Sequence, residues 1–167
     1  MAFDLYDASV PAFVRGIKAL SALLDKALAQ GFDEAALMEA RLAPDMNPFP
    51  AQIRTAAFSA RGCVARLTGQ DWPKTEDNEA TFAELQATLA LSIAFIKSVP
   101  REAFSGAEDR DVVLKFPKGQ FDFKGAAYLT SFALPNFYFH VTTVYALLRH
   151  AGVELGKRDF MGQLALA

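Results

Sequence analysis

Residues 125–148 contain no Asp, Glu, Lys or Arg, and no other stretch of the chain runs so long without charge. The segment is closed by Arg149 and His150 and holds the only other histidine, His140. A helix that is apolar on every side has to be covered, by protein or by lipid. The run exceeds the roughly 20 residues a membrane span needs. It is polar for a span, however. Thr130, Ser131, Asn136, His140, Thr142 and Thr143 fall inside it, with Pro135 in the middle. The expectation is therefore a buried central helix of a protein core, with no membrane contact.

The rest of the chain supplies helices to cover it. Phe13, Ile17, Leu20, Leu24 and Leu28 form one stripe over Ser9–Gln30, with Pro11 in the first turn and Ser9 as a possible cap. A short helical piece follows at 34–41. After the proline-broken loop 43–50, Ile53, Ala57, Ala60, Val64 and Leu67 mark a second long helix over about 51–67, closed by Gly69. Arg54, Arg61 and Arg66 lie off that stripe. Phe82, Leu85, Leu89, Ile93 and Ile96 mark a third over about 79–99, stopped by Pro100. Two alternating runs, 111–116 and 120–123, flank a Pro-Lys-Gly turn and read as a β-hairpin. The uncharged segment is the fourth long helix, about 124–151. Val153–Ala167 reads as an irregular strap. The fold expected is all-α, a four-helix bundle with a short β-hairpin before the last helix, and one domain over 1–167.

Composition narrows the function classes. The net charge is −2 with no Arg- or Lys-rich block, which argues against nucleic acid as a partner. Cys63 is the sole cysteine, so neither an internal disulfide nor a cysteine-based zinc cage is available. The first residues lack the pattern of a secretory leader, and the expected location is the cytoplasm.

The polar candidates cluster on the last helix. At 100° per residue, Leu129, Ala133, Asn136, His140, Thr143 and Leu147 share a face. His140 is thus either a buried, hydrogen-bonded core histidine or an acid, base or ligand in a pocket between helices. His150 lies ten residues on, turned too far to share a metal with it, and suits the negative end of the helix. Cys63 reads as a small buried apolar group. Ser131, Tyr138 and Tyr145, seven residues apart, form an uncharged outer face that suits a homodimer through the last helix. No phosphate loop, nucleophile elbow or catalytic carboxylate pair is present, and no His-x-x-x-His or Glu-x-x-His pair, which excludes a di-iron bundle.

Three segments carry a resemblance: Tyr6–Gly16, Ala57–Leu67 and Asn136–Gly162. On these, and on the order of elements, the chain resembles the DinB/YfiT-like superfamily of bacterial four-helix proteins, in a branch of unknown function. The superfamily's typical members hold a divalent metal with three histidines, one on the second helix and a His-x-x-x-His pair on the fourth. Some are thiol-dependent transferases or isomerases. His140 matches one fourth-helix histidine. Its i−4 neighbour is Asn136 and its i+4 neighbour Val144, and Gln52 lies near the second-helix position. Amides are poor substitutes for imidazole at zinc or nickel. The resemblance implies the fold and the dimer, without a metal or other cofactor. The expectation is a small-molecule-binding or interaction protein whose pocket is lined by Gln52, Asn136, His140 and Thr143. The alternative is a thiol-dependent transferase-type enzyme using His140 at a degenerate or weak metal site.

Overall fold

The computed structural model describes residues 3–163. Helix α1 (Leu5–Ala29) begins one turn earlier than Ser9, because the Asp4 carboxylate accepts the Asp7 backbone N–H and caps it there. Ser9 instead returns its hydroxyl to the Leu5 carbonyl inside the helix. Pro11 lies within the second turn of this longer helix. Helix α2 (Glu34–Glu39) is capped by Asp33. Helix α3 (Phe49–Thr68) ends at Gly69, whose φ of 74° is the left-handed conformation that glycine adopts freely. Helix α4 (Phe82–Ser98) starts at the first residue of its apolar ridge, three residues later than the expected start at 79. A capping box between Thr81 and Glu84 fixes its first turn. Strands β1 (Asp111–Phe116) and β2 (Gly119–Lys124) pair antiparallel, with Val112 opposite Phe123 and Leu114 opposite Phe121.

The last long helix is not uniform. It is α-helical as α5 (Gly125–Tyr128), widens to a π-turn over Leu129–Ala133, and continues as α6 (Leu134–His150). Proline explains the break. Pro135 has no N–H to give and its ring would crowd the preceding turn, so the turn opens by one residue. The Leu134 N–H reaches back to the Leu129 carbonyl, five residues away. Thr130 and Ser131 return their hydroxyls to the carbonyls of Ala126 and Ala127. The tail also differs from an irregular strap. It carries α7 (Lys157–Met161), which packs on α1 and is tied there by a 2.5 Å ion pair between Lys26 and Asp159. Leu164–Ala167, the end of the predicted strap, lies outside the described residues.

Helices α1, α3, α4 and α5–α6 form the four-helix bundle, with the hairpin set before the last long helix. The helix at its centre is α3 rather than the uncharged segment. Small residues at Ala56, Ala57, Ala60 and Cys63 let α6, α4 and α1 close in on it, and all four are fully buried. The last helix keeps an outer stripe at Ser131, Pro135, Phe139 and Thr142. Its lack of charge therefore does not reflect burial on every side. None of the described helices is long and apolar enough to cross a membrane.

Burial of Arg61 is the largest departure from the helical-stripe reading. It lies off the apolar stripe of α3 yet is only 1% exposed. Its Nη1 donates to Ser92 Oγ at 2.8 Å and its Nη2 to Thr75 Oγ1 at 3.2 Å. It thereby ties the connection between α3 and α4 to the bundle.

Candidate functional site

Helices α3 and α6 face each other through polar groups. Gln52, Thr55, Ser59, Gly62 and Arg66 recur every three or four residues on α3. Across from them the last helix presents Tyr128, Phe132, Asn136 and His140, four residues apart. Three hydrogen bonds join the two rows. His140 Nδ1 lies 2.7 Å from Gln52 Oε1, Asn136 Nδ2 donates to Ser59 Oγ at 2.7 Å, and Arg66 Nη1 donates to Tyr128 Oη at 3.3 Å.

The first of these fixes the state of His140. Gln52 is 2% exposed, and its Nε2 donates to the Asn47 carbonyl at 2.9 Å. That carbonyl can only accept, so the Gln52 oxygen is the atom that faces His140, and Nδ1 must be the donor. The Nε2 lone pair of His140 is left over. Burial of the ring pushes its pKa below the usual imidazole range, so it is neutral near pH 7. Thr143, on the same helix face, is buried and gives its hydroxyl to the Phe139 carbonyl of its own helix. Of the four predicted pocket residues, Gln52 and His140 pair with each other. Asn136 pairs one step along the seam, and Thr143 is bonded within α6. His150 ends α6 and is exposed.

Beside this seam is a cavity of about 320 Å³ between α3, the last long helix and the hairpin. Its polar lining is Thr55, Ser59, Arg66, Lys115 and Asn136. The remainder is apolar or aromatic. Phe116, Phe121, Phe123 and Phe132 form a chain of ring contacts from the hairpin to the last helix, at centroid distances of 5.6, 6.3 and 6.1 Å. Tyr128 stacks on Phe132 at 6.1 Å, and burial pushes its phenol up to about 12. At the rim, the Arg66 guanidinium lies 5.8 Å from the Phe58 ring and 5.1 Å from that of Trp72. Gly62 makes this seat possible, since a Cβ there would lie 2.4 Å from Arg66 Nη1.

The donor set does not fit a divalent metal. It offers one imidazole, with its Nδ1 already engaged, and two neutral amides, each already donating a hydrogen bond. Among the described residues no three His, Cys, Asp or Glu side chains come together to hold an ion. Cys63 cannot supply a nucleophile here. It is fully buried, and burial pushes its thiol far above the usual range.

A model of a domain of unknown function, DUF1993, matches residues 5–161. The chain belongs to the DUF1993 family. This DUF1993 protein is also similar to a solved structure, that of a DinB family member from Shewanella denitrificans. The two are 35% identical with a TM-score of 0.89, over 98% of this chain and 94% of that one. No curated protein matches the chain. The DinB-like fold expected from the sequence is thus supported by the neighbour.

Arg66, Ser59, Phe58 and the hairpin residues do not emerge from single-helix periodicity. A signal for the first two was present in the polar row at 52, 55, 59 and 66, which reads as a second face of α3 opposite its apolar stripe. The contribution of the hairpin is a tertiary contact with no local signature.

Proposed function

We propose that this protein binds a small molecule in the cavity between α3, the last long helix and the hairpin, without a resident metal. The observation that carries the reading is the lining itself. A few convergent polar groups sit in an aromatic and aliphatic wall, at the small end of the size range of ligand sites. The π-turn in the last helix includes Phe132, and such turns recur at functional sites. We propose separately that the protein is cytoplasmic, which a buried free thiol at Cys63 suits, and that it self-associates through the last helix.

Trp72 is the sole tryptophan, and its ring lies 5.1 Å from the guanidinium of Arg66, which lines the cavity, so its emission responds to what Arg66 binds. Small aromatic probes that are neutral, anionic or cationic are titrated against it. At least one is expected to change the emission saturably below about 10 mM, the millimolar end of the affinity scale. No saturable change with any of them would refute the reading. Metal analysis of protein purified without an affinity tag checks the second half, and stoichiometric zinc or nickel would sink it.

A second reading rests on His140. A neutral imidazole with a spare Nε2 suits general base work or weak metal ligation in an enzyme of the superfamily's thiol-dependent transferase type. Because Cys63 is inert, the thiol would have to come from a second substrate. Turnover of a thiol-containing substrate that disappears in His140→Ala, with the fold retained, would favour this reading over simple binding.

A further inference from the structure

We infer that the ligand of this cavity is a small amphipathic carboxylate, held by Arg66 and covered by the aromatic wall; the inference rests on the binding reading above. Charge is the first argument. The cavity lining contains two cations, Arg66 and Lys115, and no carboxylate, in a chain whose net charge is −2. Among the described residues no Asp or Glu forms an ion pair with Arg66, so no carboxylate of the chain occupies its fork.

Placement of the guanidinium is the second argument. Phe58 and Trp72 pack against it, Tyr128 takes one N–H, and Gly62 leaves the gap it fills. One bond to a phenol leaves most of its five N–H donors unused. A planar fork held in this way is ready to bind a carboxylate through two parallel hydrogen bonds with little ordering left to do. One fork and one exposed lysine suit a monoanion better than a phosphate dianion.

The wall supplies the third argument. Phe116, Phe132 and Leu114 line the same cavity, and Phe116 is 46% exposed. An apolar tail laid against it would remove this surface from water, while a purely polar anion such as acetate would leave it wet. Ser59, Thr55 and Asn136 complete the lining and can hydrogen-bond a polar substituent on the tail.

The test compares three molecules that differ only in the head group: 3-phenylpropionate, 3-phenylpropan-1-ol and 3-phenylpropylamine, each titrated against Trp72 emission and by calorimetry. The acid is expected to bind at least about tenfold more tightly than the alcohol, as one charge-assisted pair allows, and the amine more weakly still. Arg66→Met is expected to remove the advantage of the acid over the alcohol. Gly62→Ala, which keeps Arg66 but displaces its guanidinium, is expected to do the same. The ranking in the native protein decides the matter even where a variant fails to fold. Equal binding of acid and alcohol would overturn the carboxylate inference and leave the binding reading intact. Tighter binding of phenyl phosphate than of 3-phenylpropionate would overturn the choice of monoanion. Absence of binding by any probe would overturn both readings.

Discussion

His140 and Gln52 concentrate the chemistry of the seam in one hydrogen bond, and both partners depend on it. Gln52 is buried, so removing the imidazole leaves its oxygen without its donor in the protein. A group stranded in this way costs about 1–3 kcal/mol. His140 is only partly buried, which admits some water, and the lower end applies. His140→Ala is expected to lose about 1 kcal/mol, or about 2–4 °C in melting temperature for a chain of this size. The pH dependence has a definite sign. Burial lowers the pKa of His140 in the folded state, so the unfolded chain takes up its proton first as pH falls. Stability from this residue is complete above its unfolded value of about 6.5 and declines as pH drops from there towards the lower folded value. Urea midpoints at pH 7.5 and 5.5 are therefore expected to differ more for the native protein than for His140→Ala. Equal differences would mean that the ring is solvated.

Among the elements, the connection between α3 and α4 is held in part by one buried arginine. Arg61 is fully enclosed, its guanidinium pulled down in pKa first by burial, with Asp77 and Glu79 opposing from nearby. Its Nε and Glu79 Oε2 have no hydrogen-bond partner among the described residues. Removing Arg61 alone leaves Ser92 Oγ without its donor and takes a positive charge away from the buried Glu79 side chain, which keeps Arg54 at 3.7 Å as its ion-pair partner. Arg61→Met is therefore expected to lose about 1–3 kcal/mol of global stability, read from urea midpoints. The bond to Thr75, one tether of the loop, is lost with it. Amide exchange over residues 72–79 is expected to quicken by about tenfold more than exchange in α4, the equivalent of about 1.4 kcal/mol. Unchanged exchange in the loop would show that another contact holds it. The same residue marks the limit of reading elements from periodicity. The stripes of α1, α3 and α4 and the alternation of the hairpin identify those elements, because local burial sets them. Arg61 lies off the apolar stripe and is buried all the same, because a stripe says which face is apolar, not how many neighbours a helix has. The π-turn was hidden for a related reason. Pro135 signals a disturbance, but whether the helix kinks, ends or widens depends on what packs around it.

At the scale of the molecule, the outer surface of the last helix is the face proposed for self-association. The sequence suggested an interface at Ser131, Tyr138 and Tyr145. The chain already uses part of that face. Arg15 donates a long 3.5 Å hydrogen bond to Tyr138, and Phe160 of α7 packs edge-on to Tyr145 at 5.9 Å. What remains open is rotated towards Pro135, Phe139 and Thr142, and Phe139 is 54% exposed. A dimer through this stripe has an apolar centre without charges to desolvate. It is also narrow. A stable interface buries about 800 Å² on each partner, and one row of side chains along one helix falls short of that. Association is therefore expected to be weak and reversible. Light scattering should give a mass approaching twice 18.2 kDa at high concentration and falling on dilution. Phe139→Glu sets two carboxylates against each other across a symmetric contact, since each patch meets its own copy. It is expected to hold the protein monomeric at every concentration, with an unchanged melting temperature at high dilution because Phe139 leaves the core undisturbed. A native protein that stays monomeric at high concentration, or a Phe139→Glu variant that still dimerises, would move the interface off this helix.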